Sequence, residues 1–182
     1  MNIRRKILLL GSILTIAFSS TLSAHDPALH GFKLTTFDPP FPAPAFDLGK
    51  LEGGQSTLDT YKGKYVLLNF WATWCPPCLE EMPTMEAAYQ KFQDRGFTVV
   101  AISSDEEGEE AINPFIEKLG VTFPILLDPD KAVSSVYGAL NLPLSFILDP
   151  DGMVIAGSVG ERDWASEEAL SVLDELIVEP LE

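Results

Sequence analysis

The fold of this chain is decided by residues 66–81, which read VLLNFWATWCPPCLEE. The apolar run that opens this stretch predicts a buried strand, and the residues after Cys78 repeat apolar positions at helical spacing. Cys75 and Cys78 are the only cysteines in the chain, and they lie where the predicted strand turns into the predicted helix. A cysteine pair separated by two residues at such a turn is typical of a redox site, in which a disulfide and two thiols interconvert.

Two other interpretations of the cysteine pair are weaker. A zinc site needs further ligands, and the two histidines of the chain, His25 and His30, lie far away in a polar N-terminal stretch. A purely structural disulfide between residues three apart would close a loop too short to remove much chain entropy. We therefore predict no metal site, and no cofactor other than the disulfide formed by Cys75 and Cys78.

Residues 1–24 have the pattern of a secretory signal peptide. Three basic residues near the start, Arg4, Arg5 and Lys6, precede an apolar run over residues 7–18, and small residues end the segment. The apolar run is shorter than the roughly 20 residues that a transmembrane helix needs. Leu22 is large for its place before the cut, so an uncleaved anchor, with membrane contact through this segment, is the less favoured alternative. We predict export to an oxidising compartment, the bacterial periplasm.

The rest of the chain is long enough for one domain with a substantial core. Residues 25–42 are rich in proline at their end and are predicted to be an extended N-terminal segment, followed by the folded domain over residues 43–180. The formal net charge of the whole chain is −15. So acidic a protein is a poor ligand for nucleic acid or for anionic membrane surfaces. The acidic run over residues 105–110 is most simply a solvated loop and helix start; the alternative is that it steers a partner.

Short strands and helices alternate along the domain, and this predicts an α/β sandwich with a mixed central β-sheet. We predict strands over residues 45–48, 56–58, 65–71, 97–103, 123–127, 145–148 and 153–159. Helices are predicted over residues 76–94, 109–119, 131–137 and 164–178.

Several motifs together resemble one known group of proteins. They are LNFWATWCPPC at residues 68–78 followed by EMP at 81–83, APAF at 43–46, YKGK at 61–64, and LPLSFILD at 142–149. The chain resembles the TlpA/ResA/CcmG group of exported thioredoxin-like thiol-disulfide oxidoreductases. The resemblance implies a thioredoxin-like sandwich with an N-terminal strand extension and a central strand-helix insertion, which residues 109–137 would supply. Leu144 and Ser145 stand where paired threonines are frequent in the group, so the resemblance assigns no substrate.

The predicted site assigns different work to the two cysteines. Cys75 should lie at the N-terminus of the helix, where unpaired N–H groups favour an anion, and its thiolate should attack a substrate disulfide. Cys78, one turn further on, should then release the substrate by attacking Cys75. Pro76 and Pro77 fit the first turn of a helix but lack the N–H groups that would hold a thiolate.

Glu81 is the predicted acid of the site. It lies three residues beyond Cys78, on the same helical face, and the corresponding acid of the resembling group relays a proton for the dithiol. Asn69 occupies the strand position where cytoplasmic thioredoxins have a buried Asp, which favours Glu81 in that role. Glu80 is interpreted as a solvated neighbour, and Trp164 as a residue of helix packing.

The resemblance also implies a substrate-binding edge. Pro143 should follow a cis peptide bond beside the cysteines, and the backbone next to it, including Leu142, should pair with a substrate peptide as an added strand. Trp74 and Pro76 are expected at the rim of the site.

The function predicted from these features is a periplasmic protein-disulfide reductase that serves cytochrome c maturation or copper-site assembly. Its partners would be exported proteins that carry disulfides and a membrane thiol-transfer protein that donates electrons. One alternative is a thiol peroxidase, but Leu68 and Ala72 occupy the positions of Pro and Thr in the peroxiredoxin pattern. The other is a copper chaperone, whose relatives pair a wider cysteine spacing with a distant histidine, and no histidine follows His30.

Overall fold

One mixed sheet of eight strands organises residues 32–177, the part of the chain that the computed structural model describes. The strands are β1 Thr35–Pro42, β2 Asp47–Lys50, β3 Gln55–Thr57, β4 Tyr65–Trp71, β5 Phe97–Ser103, β6 Ile125–Leu127, β7 Leu144–Leu148 and β8 Met153–Val159. Their order across the sheet is β1-β8-β7-β4-β5-β6-β2-β3. Strands β4, β5 and β6 are parallel, and the other pairs are antiparallel.

Four α-helices lie within the same described residues. They are α1 Pro76–Phe92, α2 Glu109–Leu119, α3 Ala132–Val136 and α4 Glu167–Ile177, with short 3-10 turns at Leu58–Tyr61 and Gln93–Arg95. None of these helices has the length and apolar character needed to cross a membrane. The predicted α/β sandwich with a mixed central sheet is confirmed. The predicted signal peptide over residues 1–24 lies outside the described residues.

Each face of the sheet is covered by its own hydrophobic core, and alternate side chains of β4 and β5 point into one core or the other. Leu67 and Trp71 of β4, with Val99 of β5, pack into the core that contains helices α1 and α4. Leu68 of β4 and Ile102 of β5 point to the second core, on the opposite face. Because successive side chains of a strand alternate between faces, Asn69 lies on the same face as Leu67 and Trp71. That face is the one on which α1 packs, so an amide group is placed beneath the helix that carries the cysteines.

Helix α1 begins at the predicted residue and ends at Phe92, two residues before the predicted end at residue 94. Cys75 is the N-cap residue, and Pro76 and Pro77 fill the first two helical positions, where the lack of an N–H is tolerated. The helix continues through Pro83 to Phe92. A 3-10 turn follows, and Gly96 closes it with a φ of +82°, a left-handed conformation that glycine adopts without strain.

The proline-rich segment is a strand of the sheet. Residues within the predicted extended segment 25–42 form β1, which pairs antiparallel with β8 along the edge. The ladder is interrupted between Thr36 and Phe41, and the prolines there are tolerated because an edge strand need not donate on both sides. Ahead of β1, Phe32 and Leu34 are buried in the core of α1 and α4. The sheet and its core therefore reach back into the segment ahead of residue 43.

The central insertion lies between β5 and β7. Helix α2, strand β6 and helix α3 fill it, in agreement with the predicted strand-helix insertion over residues 109–137. Strand β6 extends the sheet beside β5 and is itself paired with β2. The last helix, α4, begins at Glu167 rather than at residue 164, because Trp164 belongs to the loop that precedes it.

Candidate active site

The two cysteines are joined as a disulfide at the N-terminus of α1. Their Cα atoms are 5.3 Å apart, and both residues are buried, with exposed fractions of 4% for Cys75 and 1% for Cys78. The backbone carbonyl of Cys75 accepts hydrogen bonds from the N–H groups of Cys78 and Leu79. The first helical turn is thus closed around the disulfide, with Cys75 the slightly more accessible residue.

Glu81 lies one turn beyond Cys78 and is almost completely buried, with 2% of its surface exposed. Three donors reach its carboxyl group. The indole Nε1 of Trp164 donates to Oε1 at 2.6 Å, the backbone N–H of Arg162 donates to Oε1 at 3.3 Å, and Asn69 Nδ2 donates to Oε2 at 3.3 Å. Glu80, the next residue back, is exposed.

The surroundings of Glu81 raise the pKa of its carboxyl group toward neutral pH. Burial disfavours the charged form and raises the pKa, while the hydrogen bonds from Trp164, Arg162 and Asn69 favour the carboxylate and oppose that rise. Burial is the larger effect, and the pKa of Glu81 is raised to about 7. A carboxyl group with this pKa can take up or release a proton at the pH at which thiols exchange with disulfides.

Asn69 links the carboxyl group to the neighbouring strand. Its amide donates to Glu81 and also to the hydroxyl oxygen of Ser145 at 2.9 Å. Ser145 is the register partner of Asn69 across the β4–β7 ladder, so both side chains lie on the α1 side of the sheet. The buried Oδ1 of Asn69 accepts no hydrogen bond from the residues described. Asn69 therefore acts toward Glu81 as a neutral donor.

The loop between β4 and α1 is held by a buried acid. Asp105 accepts hydrogen bonds from the backbone N–H of Thr73, from the Thr73 hydroxyl at 2.6 Å and from the Ser103 hydroxyl at 2.6 Å. Its exposed fraction is only 2%. The prediction of a wholly solvated acidic run over residues 105–110 is wrong for Asp105, because the end of β5 places that side chain under the active-site loop. Glu106 and Glu107 of the run are exposed.

The substrate edge predicted around Pro143 lies at the same end of the sheet as the cysteines. The peptide bond between Leu142 and Pro143 is cis, as the resemblance implies. Pro143 precedes Leu144, which pairs with Phe70 near the end of β4. Pro143 itself is buried, and its carbonyl accepts a hydrogen bond from the N–H of Gly160 at 2.8 Å.

A groove of about 240 Å³ runs along this end of the molecule. Leu142 lines it together with Trp74 and Leu140, whose exposed fractions of 64% and 87% are unusual for large apolar side chains. Ser104 and Ser134 form part of its floor, and their hydroxyl groups are 3.0 Å apart. Of the other predicted substrate-binding residues, Pro76 is exposed but does not line this groove.

A second opening, also of about 240 Å³, lies beside Glu81. It is lined by Glu80, Glu81, Thr84, Glu161, Arg162 and Asp163. The buried carboxyl group therefore borders a polar cleft rather than a closed cavity. The cleft and the groove have no lining residue in common.

Comparison with protein families decides the relationship that the motifs indicated. A model of the AhpC/TSA family matches residues 41–156, more than half of the chain. The chain belongs to the AhpC/TSA family. The match runs from the end of β1 into β8, so the cysteines, Glu81 and the edge around Pro143 all fall within the part that the family shares.

Relatives of this AhpC/TSA protein are named as thiol-disulfide oxidoreductases or as thioredoxin-like proteins. The thiol-disulfide oxidoreductase ResA of Bacillus anthracis is 40% identical over 120 residues, which cover 66% of this chain and 69% of that protein. The thioredoxin-like protein YneN of Bacillus subtilis is 43% identical over 114 residues, which cover 62% of this chain and 66% of that protein. The resemblance to the TlpA/ResA/CcmG group and the predicted enzyme class, thiol-disulfide oxidoreductase, are thereby confirmed.

Solved structures confirm the thioredoxin-like fold. A protein of Chlorobium tepidum assigned as the thiol:disulfide interchange protein DsbE superposes with a TM-score of 0.70 and 30% identity, covering 76% of this chain and 96% of that one. StoA of Bacillus subtilis superposes with a TM-score of 0.61 and 25% identity, covering 72% of this chain and 99% of that one.

Sequence reasoning missed several polar groups of the site in this AhpC/TSA protein. The sequence indicates only helix packing for Trp164, yet its indole makes the shortest of the hydrogen bonds to Glu81. Nor does the sequence assign Asp105 and Ser145 to the site. The one available signal is position: each stands beside the end of a predicted strand or helix, near the edge that carries the cysteines.

The structure shows no metal centre within its described residues. No group of three or more His, Cys, Asp or Glu side chains between residues 32 and 177 is arranged to hold an ion. His25 and His30 lie outside that range, so the prediction that they bind no metal stays a prediction.

Proposed function

We propose that this protein is an exported protein-disulfide reductase that works in the bacterial periplasm through Cys75 and Cys78. The observation that carries the proposal is the buried carboxyl group of Glu81, one helical turn beyond Cys78, with a pKa raised to about 7. The disulfide chemistry of the named relatives supports the reaction, and the predicted signal peptide over residues 1–24 supports the location. The dithiol itself serves as the redox group, and no other cofactor is proposed.

The first half of the reaction forms a mixed disulfide. The thiolate of Cys75 attacks one sulfur of a substrate disulfide, so that a bond forms between Cys75 and the substrate as the substrate disulfide breaks. The second substrate sulfur leaves as a thiolate and takes a proton from water. Cys75 is the attacking residue because it lies at the helix N-terminus and is the less buried of the pair.

The second half releases the substrate. The thiol of Cys78 gives its proton to the carboxylate of Glu81, and the resulting thiolate attacks the sulfur of Cys75. The Cys75–Cys78 disulfide forms as the mixed disulfide breaks, and the substrate sulfur leaves as a thiolate that takes a proton from water. Glu81 releases the proton that it accepted to the solvent, and the substrate departs with two thiols. Two electrons have then passed from the protein to the substrate. A membrane thiol-transfer partner must return them, because the periplasm is oxidising.

We infer the direction of electron transfer from the weak stabilisation of the reduced dithiol. Pro76 and Pro77 remove two N–H donors from the end of the helix where the thiolate of Cys75 would lie. The negative charge of ionised Glu81 disfavours a second negative charge on Cys78. A weakly stabilised thiolate makes the disulfide harder to reduce and the dithiol a better reductant. Cytochrome c maturation and copper-site assembly are the two pathways that we propose for such a reductant.

The groove beside the cysteines is the proposed place for the substrate polypeptide. Trp74 and Leu140 expose apolar surface there, and Leu142 lies ahead of the cis bond to Pro143. An extended segment of an exported protein could lie against this edge with its disulfide next to Cys75. Contact with a membrane is proposed only for a form of the protein that keeps its N-terminal segment.

Serine variants of the two cysteines test the proposed reaction. We expect Cys75→Ser to abolish reduction of the insulin disulfides, because the attacking sulfur is gone. Cys78→Ser should still attack but accumulate stalled mixed disulfides, which non-reducing gels and mass spectrometry would detect. Equal and substantial turnover by both variants would contradict the assigned order of attack.

Trapping in the cell tests the location and the pathway. Cys78→Ala, expressed as the full chain in a bacterium that exports proteins, should be recovered from the periplasmic fraction with proteins captured on Cys75. Captured apocytochrome or a copper-site protein would identify one of the two pathways. Recovery of the protein in the cytoplasm alone would contradict the proposed location.

The two alternative functions make different demands on the site. A thiol peroxidase of peroxiredoxin type would use a threonine hydroxyl three residues before its cysteine, and Ala72 stands there, fully buried. The hydroxyl of the next residue, Thr73, is bonded to Asp105. Rapid consumption of hydrogen peroxide by the reduced protein would favour the peroxidase, and tight binding of copper in a titration would favour the chaperone.

A further inference from the structure

We propose that Trp164 is a positioning residue for Glu81: its indole N–H fixes the carboxyl group one helical turn beyond Cys78, and the N-terminal segment holds the indole in place. The inference rests on the proposed reductase function, since it assigns to Trp164 an effect on the proton transfer of that reaction. It is carried by the contacts of a single loop, residues 160–164, between β8 and α4.

The loop supplies two of the three donors to Glu81. Trp164 Nε1 lies 2.6 Å from Oε1 and the backbone N of Arg162 lies 3.3 Å from the same oxygen, whereas Asn69 reaches the other oxygen. A short hydrogen bond to an ionised group is worth more than one between neutral groups. The indole N–H also has no proton to give up near neutral pH, so it remains a donor whichever form the carboxyl group takes.

The indole is itself oriented by the elements on both sides of it. The backbone N–H of Trp164 donates to the hydroxyl of Thr84 on α1 at 3.0 Å, and that hydroxyl donates to the carbonyl of Glu81 at 2.7 Å. The ring of Phe32 meets the indole edge to face, with centroids 5.1 Å apart. Arg162 also reaches the carbonyl of Lys33 through its guanidinium group, at 3.4 Å. The loop is therefore tied both to the helix of the cysteines and to the segment ahead of β1.

The charged side chains that line the cleft beside Glu81 come from helix α1 and from the loop. Glu80 on α1 and Glu161, Arg162 and Asp163 on the loop line the adjacent cleft. The strand side contributes the neutral side chains of Asn69 and Ser145. Removal of the indole donor would leave these charges in place, so its effect can be measured apart from theirs.

The chain offers a matched control in Trp71. Both indoles are fully buried in the same core, at 0% exposure for Trp71 and 1% for Trp164. The Nε1 atom of Trp71 has no hydrogen-bond partner among the described residues. Replacement of either residue by Phe removes similar apolar volume, but only Trp164→Phe removes a donor from Glu81.

The first measurement is the titration of the Glu81 carboxyl carbon in the oxidised protein by ¹³C NMR, which needs no activity. Loss of the indole donor disfavours the carboxylate, so Trp164→Phe should move the titration midpoint upward by about one pH unit or more. The pH profile for resolution of the mixed disulfide should move in the same direction. Trp71→Phe should move neither. An unshifted Glu81 titration in folded Trp164→Phe would overturn the proposal.

The wild-type protein provides a second test, which holds even if Trp164→Phe does not fold. The ¹⁵N–H resonance of the Trp164 indole should shift with the midpoint of Glu81, near pH 7, while that of Trp71 should not. A Trp164 resonance that is indifferent to this titration would contradict the hydrogen bond on which the inference rests.

Different experimental outcomes would contradict the proposed role of Glu81 and the proposed role of Trp164. If Glu81→Gln leaves resolution of the mixed disulfide unchanged, the proposed acid–base role of Glu81 is wrong, whatever the indole does. If Glu81→Gln slows resolution but Trp164→Phe behaves like Trp71→Phe in both measurements, the reductase mechanism stands and the positioning role of Trp164 is wrong.

Discussion

Glu81 shows how a single residue balances burial against hydrogen bonding. Burial alone would favour the neutral carboxylic acid, and three donors favour the ion. The outcome, a pKa of about 7, gives appreciable amounts of both forms at neutral pH. Neither form is strongly preferred, and this is the condition under which a carboxyl group can accept the proton of Cys78 during turnover and release it again afterwards.

Protonation of Glu81 should make the stability of the protein depend on pH. The carboxyl group titrates near its ordinary value of 4.5 in the unfolded chain and near 7 in the folded protein. Its contribution to the free energy of unfolding is therefore fully present below pH 4.5 and is lost as the pH rises toward 7, by an amount on the order of 3 kcal/mol. Glu81→Gln should lack this loss in urea unfolding of the oxidised protein.

The matched control is Glu80→Gln, since Glu80 is exposed on the same helix. It should follow the wild-type dependence on pH. Identical pH dependence of unfolding in Glu81→Gln and in the wild type would show that the carboxyl group is not held as described.

Glu81 should also influence the thiols of the reduced protein. Removal of the repulsive carboxylate in Glu81→Gln should let the thiolates form at lower pH, and a thiol pKa lower by one corresponds to about 1.36 kcal/mol. Resolution of the mixed disulfide should nevertheless slow, because the proton acceptor is missing. Alkylation of the thiols as a function of pH, with Glu80→Gln as control, measures the first effect. Should both variants give the same alkylation profile, Glu81 exerts no charge effect on the dithiol.

Prediction of single residues from the sequence succeeded where the spacing is local. Glu81 follows Cys78 by one helical turn, so its place on α1 could be predicted from the spacing. Trp164 lies 83 residues from Glu81 along the chain. No periodicity connects residues at that separation, and only the return of the loop after β8 brings the indole onto the carboxyl group.

At the scale of elements, the loop between β4 and α1 depends on the end of the neighbouring strand. The carboxylate of Asp105 accepts hydrogen bonds from the backbone N–H and the hydroxyl of Thr73, which lies two residues ahead of Cys75. The position of the attacking cysteine is thus fixed from β5 as well as from its own helix.

We expect Asp105→Asn to loosen this loop. An amide in place of the carboxylate keeps one acceptor but turns an N–H toward groups that donate, so the free energy of unfolding should fall by about 1–3 kcal/mol. Hydrogen exchange of the amides of Thr73 and Trp74 should become faster. Glu107→Gln, in the exposed part of the same acidic run, is the control. Protection factors that are unchanged in Asp105→Asn would rule out this anchoring.

Strand β1 shows why some elements escape prediction. Its proline content argues against a strand, and the sequence predicts only an extended segment there. Pro39 and Pro40 lie where the ladder with β8 is interrupted, and pairing resumes on either side of them, with Pro42 opposite Met153. By contrast β4, β5, β8 and α2 have the predicted bounds, because an apolar run or a helical repeat determines them locally. Whether a proline-rich segment pairs depends on the free edge of β8, which the segment itself does not encode.

Removal of β1 should therefore lower the free energy of unfolding more than removal of a disordered tail would. A chain that begins at Ala43 loses the buried side chains of Phe32 and Leu34, and each such burial contributes about 1.5–3 kcal/mol. It also leaves β8 as an unpaired edge, which favours self-association. Urea unfolding and analytical ultracentrifugation measure these effects, with a chain that begins at residue 31 as control. Equal stability of the two shortened chains would show that β1 adds nothing to the fold.

At the scale of the whole molecule, the features converge on a reducing potential. The proline pair at the helix start, the buried acid beyond it and the named relatives all favour a dithiol that gives up electrons. We expect the potential of the Cys75–Cys78 pair to lie nearer the thioredoxin value of about −270 mV than the DsbA value of about −120 mV. Equilibration with glutathione or dithiothreitol buffers measures it, and a value close to that of DsbA would overturn the reductant assignment.

The separation of the groove from the cleft has a consequence for the timing of turnover. A short peptide seated against Trp74 and Leu142 need not touch the opening beside Arg162, because the groove and the cleft have no lining residue in common. We expect water and buffer to reach Glu81 through that opening while such a peptide occupies the groove. Proton exchange with the medium then need not wait for the peptide to depart.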